Sequence, residues 1–224
     1  MIQTATIEFL RDLKQHNVKT WFDENRKRYE SARTNFLEAN ERLIQGVESF
    51  DEGIAMASLE PKKTIMRINR DIRFSKDKSP YNPRFFTYLG QGGKSAPFAG
   101  YYLQIAPGES FYGGGLFMPD NKILLRVRSG IEANLSAWEK IVQDDHWKHV
   151  YGELLSNGKL TRPPKGFDKD SPALEWIKWK GFYVSKELTD EEATREDVIE
   201  QIVENLQVLR PLVAFLNESI NQYA

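Results

Sequence analysis

Residues 67–85, RINRDIRFSKDKSPYNPRF, set six cationic side chains beside two acids and interrupt them with Pro80 and Pro83. Guanidinium and ammonium groups at this density suit a phosphate or carboxylate, because Arg offers a planar fork for two oxygens and Lys a mobile point charge. If residues 64–74 are extended, alternate side chains share a face, so Arg67, Asp71 and Arg73 lie on one side and Arg70 and Phe74 on the other. Charges so divided cannot all serve one ligand. The polar stretch 75–82 can curl back, however, so that Lys76, Lys78 and the Ser75 and Ser79 hydroxyls cradle the same anion as Arg73. Asp71 and Asp77 then orient the cations or act as metal ligands, although two carboxylates are a thin donor set for magnesium. The competing reading is an exposed loop whose ions are solvated, where each ion pair contributes roughly 0 to 1 kcal/mol.

Gly113-Gly114-Gly115 is a second unusual feature, lying in a segment otherwise rich in strand formers. Glycines there give up side-chain packing and lose extra backbone entropy on folding, which points to a bulge or to close approach of another backbone or a ligand. No Gly-Lys-Ser/Thr follows, so the run is not a phosphate-binding P-loop. His146 and His149 stand three apart on an expected helix, but no third ligand at zinc spacing accompanies them, and no metal site is expected. A Gly-x-Ser-x-Gly nucleophile motif is absent. So is cysteine, which removes disulfides, thiolate nucleophiles and cysteine-held clusters. No motif specifies a cofactor.

The formal net charge of −1 conceals a regional field. Between residues 61 and 128, twelve Lys/Arg face four Asp/Glu, a surplus of +8, so the rest of the 224-residue chain carries −9. A basic middle between acidic flanks favours a bounded site for a small anion over general affinity for nucleic acid or a membrane surface. No run approaches the roughly 18 apolar residues that cross a bilayer. The N-terminus also lacks a cationic start followed by an apolar core, so we expect a soluble, cytoplasmic protein without a membrane partner.

The elements that must position these residues change period along the chain. Phe9, Leu10 and Leu13, then Phe22, Tyr29, Phe36, Leu43, Val47 and Phe50, recur at helical spacing, with a junction at His16-Asn17. Stretches rich in β-branched and aromatic residues follow at 64–68, 84–89, 101–106 and 111–117. Pro107-Gly108 suits a type II turn, so the last two form an antiparallel hairpin. After Pro119-Asp120 the helical period returns through Leu124, Val127, Ile131, Leu135 and Trp138, and a further helix is expected at 144–155. A last strand is expected at 181–185 and a closing helix at 195–220. Helices, then strands, then helices predict an α+β fold with a mainly antiparallel sheet.

Arg70-Asp71-Ile72-Arg73-Phe74-Ser75-Lys76-Asp77-Lys78-Ser79-Pro80-Tyr81 closely resembles the signature of a family of bacterial and fungal conserved hypothetical proteins, the domain-of-unknown-function 2461 family. Asn17 with Trp21-Phe22 and Tyr29 resembles its N-terminal Asn, Trp-Phe and Tyr landmarks. Gly100-Tyr101-Tyr102 with the 113–115 glycines is similar to its central hairpin, Arg128 with Ile131 to its Arg-x-x-Ile helix, and residues 162–167 to its Pro-Lys-Gly element. Lys19-Thr20 departs from the Arg-Glu that often precedes the Trp-Phe pair. The resemblance implies one domain over residues 1–224 and lowers the odds that the 70–81 loop is only a solvated tether. It supplies no reaction, substrate or catalytic residue.

We therefore expect a cationic pocket built from Arg70 or Arg73, Lys76, Lys78, Arg128 and Lys165, with Tyr81 as a neutral donor, for a ligand bearing phosphate or carboxylate. If the protein is an enzyme, the cations stabilise developing negative charge and Asp71 or Asp77 serves as base or metal ligand. Transfer or hydrolysis at a phosphoester is then the simplest chemistry. Two other classes stay open: a nucleic-acid binder whose basic middle tracks phosphates, and a non-catalytic interaction module whose loop cations clamp the loop to itself.

Overall fold

The computed structural model describes residues 1–223. Helix α1 (Thr4–Gln15) buries Phe9, Leu10 and Leu13 and stops at His16. Beyond the junction lie α2 (Lys19–Glu24) and the long α3 (Arg26–Glu48), whose apolar stripe includes Phe36, Leu43 and Val47. Two short helices follow: α4 (Glu52–Met56), capped by the Asp51 carboxylate, and the single turn α5 (Pro61–Thr64).

The strand expected at 64–68 does not form. Pro61 occupies the first turn of α5, where its fixed φ and missing N–H are tolerated. The Thr64 hydroxyl then donates to the Pro61 carbonyl (3.0 Å) and accepts from Asn40 Nδ2 (2.9 Å) and Thr87 Oγ1 (3.0 Å). These bonds hold the backbone in a turn. Only isolated antiparallel bridges remain beyond it, Ile65 to Thr87 and Asn69 to Tyr81.

The sheet is antiparallel, with strands β1 (Phe85–Gly90), β2 (Gly100–Ile105), β3 (Ser110–Leu116) and, much later, β4 (Phe182–Leu188) in that spatial order. Gly108 takes φ +69°, and the Glu109 N–H donates to the Ala106 carbonyl (2.9 Å), closing the expected turn between β2 and β3. Between β3 and β4 lie α6 (Asn121–Ala133), α7 (Leu135–Val142), α8 (Asp145–Tyr151) and α9 (Leu174–Ile177). The Asp120 carboxylate caps α6 by accepting from the Lys122 and Ile123 N–H groups. The chain ends with α10 (Asp190–Ala193), α11 (Val198–Gln207) and α12 (Arg210–Gln222). The closing helix expected in one piece is two, because Pro211 would clash inside a continuous helix and is accommodated in the first turn of α12. The result is an α+β fold, and among the described residues no helix is long and apolar enough to cross a membrane.

The residues cluster into two compact units, each assembled from three separate stretches. The first comprises residues 1–89, 102–112 and 187–204; the second comprises 90–101, 113–186 and the chain from Asn205 onward. In the first unit the core is a run of rings: Phe9 beside Phe22, Phe22 stacked on Tyr81 at 4.0 Å between centroids, and Phe36 stacked on Phe85 at 5.2 Å. In the second, the fully buried Trp138 meets Trp176, Phe182 and Phe215, and α6 packs on α12 with Gly130 against Ser219.

The glycine run is accounted for within the second unit. A methyl group on Gly113 would overlap the Val184 carbonyl oxygen, and one on Gly115, at φ +119°, would overlap that of Phe182. Of the alternatives raised by the sequence, it is the backbone of β4 that fills the space. Gly113→Ala should therefore lower stability by about 3 kcal/mol, since an overpacked contact with rigid backbone cannot relax. Gly108→Ala, which meets nothing within 4 Å and is strained only through its positive φ, should cost only about 1 kcal/mol. Urea unfolding of both variants checks the ranking.

Candidate functional site

The basic segment closes on itself. The Arg70 N–H donates to the Pro80 carbonyl (2.9 Å) and the Asn82 N–H to the Ile68 carbonyl (2.7 Å), flanking the Asn69–Tyr81 bridge. Few backbone bonds cross the turn beyond this, and side chains complete it. Arg70 Nη1 donates to the Asp77 carboxylate and to the Ser79 carbonyl (3.2 Å), and Nη2 donates to Ser75 Oγ (3.4 Å). Lys78 Nζ donates to the Ile72 carbonyl (3.0 Å). Arg73 lies beside Asp71, with Nη2 2.6 Å and Nε 3.0 Å from the two carboxylate oxygens.

The base of the loop is held by Asn17, which leads into α2. Its amide donates to the Tyr81 carbonyl (2.9 Å) and accepts from the Tyr81 N–H (3.1 Å), reproducing both halves of a backbone pair with one side chain. The Tyr81 ring stacks on Phe22, so residues 17 and 22 fix the same point of the loop from two directions.

These contacts set the electrostatics. The Ser79 hydroxyl and N–H, followed by the Arg70 guanidinium, hold the Asp77 carboxyl far below its ordinary value of 3.8. The Arg73 side chain, and then its backbone N–H, lower that of Asp71. A carboxylate so depressed is a weak proton acceptor, because base strength falls with pKa. Both acids are placed to orient arginine. Among the described residues no group of three or more His, Asp or Glu could hold a metal ion.

One wall of a cleft of about 390 Å³ is made by this loop, and the cleft lies wholly within the first unit. It is lined by Arg70, Asp77, Ser79 and Tyr81 from the loop, by Asn82, Pro83 and Arg84 after it, by Lys14 and Asn17 from the end of α1 and its junction, and by Ala106, Pro107 and Glu109 from the β2–β3 turn. Lys14 Nζ pairs with Glu109 (2.6 Å). Lys14, with a smaller contribution from Arg84, lowers the Glu109 carboxyl. Arg84 is exposed and makes no hydrogen bond or ion pair among the described residues.

Of the site residues expected from sequence, the cleft gathers Arg70, Asp77 and Tyr81. Arg73 and Asp71 pair with each other on the exposed part of the loop, Lys78 is bonded to the loop backbone, and Lys76 is exposed. Arg128 and Lys165 belong to the second unit and do not line the cleft. Arg128 is buried and donates to the Trp179 carbonyl (2.9 Å), whereas Lys165 is exposed. Lys14, Arg84 and Glu109 also line the cleft, outside the set expected from sequence. Arg84 stood among the six counted cations, but Lys14 and Glu109 reach the cleft only through tertiary folding and leave no local signal.

The chain belongs to the conserved hypothetical protein family defined by domain of unknown function 2461, whose model matches residues 5–215. Neither a curated protein nor a solved structure matches it significantly.

The depressed Asp77 carboxyl has a definite sign in pH. Its contribution to the closed loop is complete above the unfolded value near 3.8 and drains away as pH falls toward the lower folded value. Asp77→Asn should mimic the acid form at neutral pH, speeding tryptic cleavage after Arg73, Lys76 and Lys78 several-fold while leaving far-UV circular dichroism unchanged. Equal cleavage rates in the two proteins would show that Asp77 does not hold the loop closed.

Proposed function

We propose that the cleft of the first unit binds a small molecule carrying a carboxylate or phosphate group. The observation that carries this reading is the division of labour among its three cations. Lys14 and Arg70 are matched by Glu109 and Asp77, while Arg84 faces no acid at bonding distance among the described residues. A guanidinium left over in a concave, mostly polar site is a natural partner for an oxyanion, which it can take in a planar two-point contact. Arg70, fixed by its loop bonds, serves as a rigid donor wall: its three contacts leave two of its N–H groups without an acceptor among the described residues. The matched pairs suit the polar remainder of a ligand, because a site with both signs can accept donors as well as acceptors. A volume of about 390 Å³ is near the lower end for small-molecule sites, so a compact metabolite fits better than a polymer.

Asp71 and Asp77 enter this reading as positioning residues, since both are paired and neither is poised near neutral pH. Lys76 and Arg73 would act at longer range, by raising the local concentration of anions. Tracking of a nucleic-acid backbone is less well supported, because the loop cations Arg70, Arg73 and Lys78 are already engaged by the loop itself.

A second reading, an interaction module whose clamped loop presents a docking group, is favoured by one observation. Phe74 stands 95% exposed at the loop, with the Arg73 guanidinium 5.9 Å from its ring centroid. A rigid loop displaying a solvated Phe is an arrangement suited to insertion into a partner's apolar pocket.

A thermal-shift screen against phosphorylated and carboxylated metabolites separates the two. A ligand at a hundred times its Kd stabilises by about 2.7 kcal/mol, or roughly 5–10 °C for a chain of this length. Arg84→Ala should abolish that shift and Phe74→Ser should leave it intact. A screen in which no ligand gives a shift that depends on Arg84 would remove the cleft reading.

A further inference from the structure

The second unit contains a charge with no counter-charge. Arg128 lies on the face of α6 that also buries Leu124, Val127 and Ile131, and only 7% of its surface is exposed. One Nη2 donates to the Trp179 carbonyl (2.9 Å), Nε has no hydrogen-bond partner, and no acid pairs with the guanidinium among the described residues. Arg does not lose its proton in proteins, so the charge stays. Burying an unpaired ion costs several kcal/mol even after relaxation. Desolvation alone accounts for the lowering of its pKa, with no neighbouring carboxylate acting on it.

The surroundings are aromatic. Trp179 stacks on Phe182 at 6.2 Å and lies 5.2 Å from Trp176, which in turn meets Trp138 edge-on at 5.8 Å. The indole Nε1 of Trp138, a donor only, is buried without an acceptor. Two buried donors of the second unit thus lack acceptors, and one of them is cationic. Trp176 and Trp179 are half-buried, so the cluster is not sealed from solvent.

We propose that Arg128 anchors a second anion site, contained in the second unit alone, in which the guanidinium fork holds the carboxylate or phosphate group of a small molecule beside Trp179. An oxyanion supplies at once the missing negative charge and the missing acceptor for Nε. An ordered water could accept from Nε but would leave the charge unmatched. The site is independent of the cleft in the first unit, and its existence does not require that one.

Tryptophan fluorescence reads the site, because the guanidinium is bonded to the Trp179 carbonyl and the Trp176 ring lies 5.2 Å from that of Trp179. Wild-type protein is titrated with inorganic phosphate and, separately, with acetate, at ionic strength held constant with chloride. A saturable change with either anion is expected, and the anion that gives it identifies which oxyanion the site takes. Arg128→Lys, which keeps the charge and loses the fork, should weaken that binding by about tenfold. Arg128→Met should abolish it, and Arg84→Ala should leave it unchanged. If Arg128→Met does not fold, the wild-type and Arg128→Lys titrations decide alone. A wild-type response to neither anion, a response unchanged in Arg128→Lys, or a response lost in Arg84→Ala would each overturn the proposal.

Discussion

The guanidinium of Arg70 closes a loop that its backbone cannot close. Between residues 70 and 80 the chain carries polar turn formers and ends on Pro80, so a ladder of N–H to carbonyl bonds ends after the Asn69–Tyr81 bridge. Arg70 replaces that ladder, collecting acceptors from Ser75, Asp77 and Ser79 with a side chain only 24% exposed. A lysine could supply the charge but not a planar fork of donors for three acceptors. Asp77 is correspondingly committed: its oxygens accept from Ser79 and Arg70 together, and the pair acts as one unit. This consequence reaches the cleft, because the residues that tie the loop are the same residues that form its wall.

Three arginines show how differently one side chain can be used. Arg70 is partly buried and paired, Arg84 is exposed and unpaired, and Arg128 is buried and unpaired. Only the first is electrostatically complete. Its contribution is positional, since a partly exposed ion pair is screened by water and holds geometry more than it adds stability. Arg84, being exposed, keeps its hydration shell, which the proposed ligand would displace. Arg128 has already lost hydration in folding, so the oxyanion proposed for it would replace water that was surrendered earlier.

How much of this was legible depended on whether the controlling contacts were local. The helical stripes through Phe9 to Leu13 and Phe36 to Val47, and the Pro107-Gly108 turn, were readable because their periods and turn residues act over a few positions. The strand expected at 64–68 failed because Pro61 and the Thr64 hydroxyl, bonded to Asn40, outweigh β-branched propensity. The break in the closing helix has a local signal in Pro211, which sits in the first turn of α12. For the site, Arg70 and Asp77 were accessible from the density of the segment, whereas Lys14 and Glu109 come from α1 and a hairpin turn more than ninety positions apart. Arg128 offered a clue of a different kind: it falls four after Leu124 and three before Ile131, a charge on an apolar stripe.

The surplus of +8 between residues 61 and 128 therefore overstates the anion-binding capacity of that stretch. Arg70, Arg73 and Lys78 are engaged within the 70–81 loop, and each of the two loop acids is matched to an arginine. Counting cations measures the long-range field, which governs how fast an anion arrives. What governs whether it stays is a donor that folding has left without an acceptor. By that criterion the basic segment is chiefly scaffold, and the proposed recognition rests instead on Arg84 beside it and on Arg128 far along the chain, neither of which is ion-paired among the described residues.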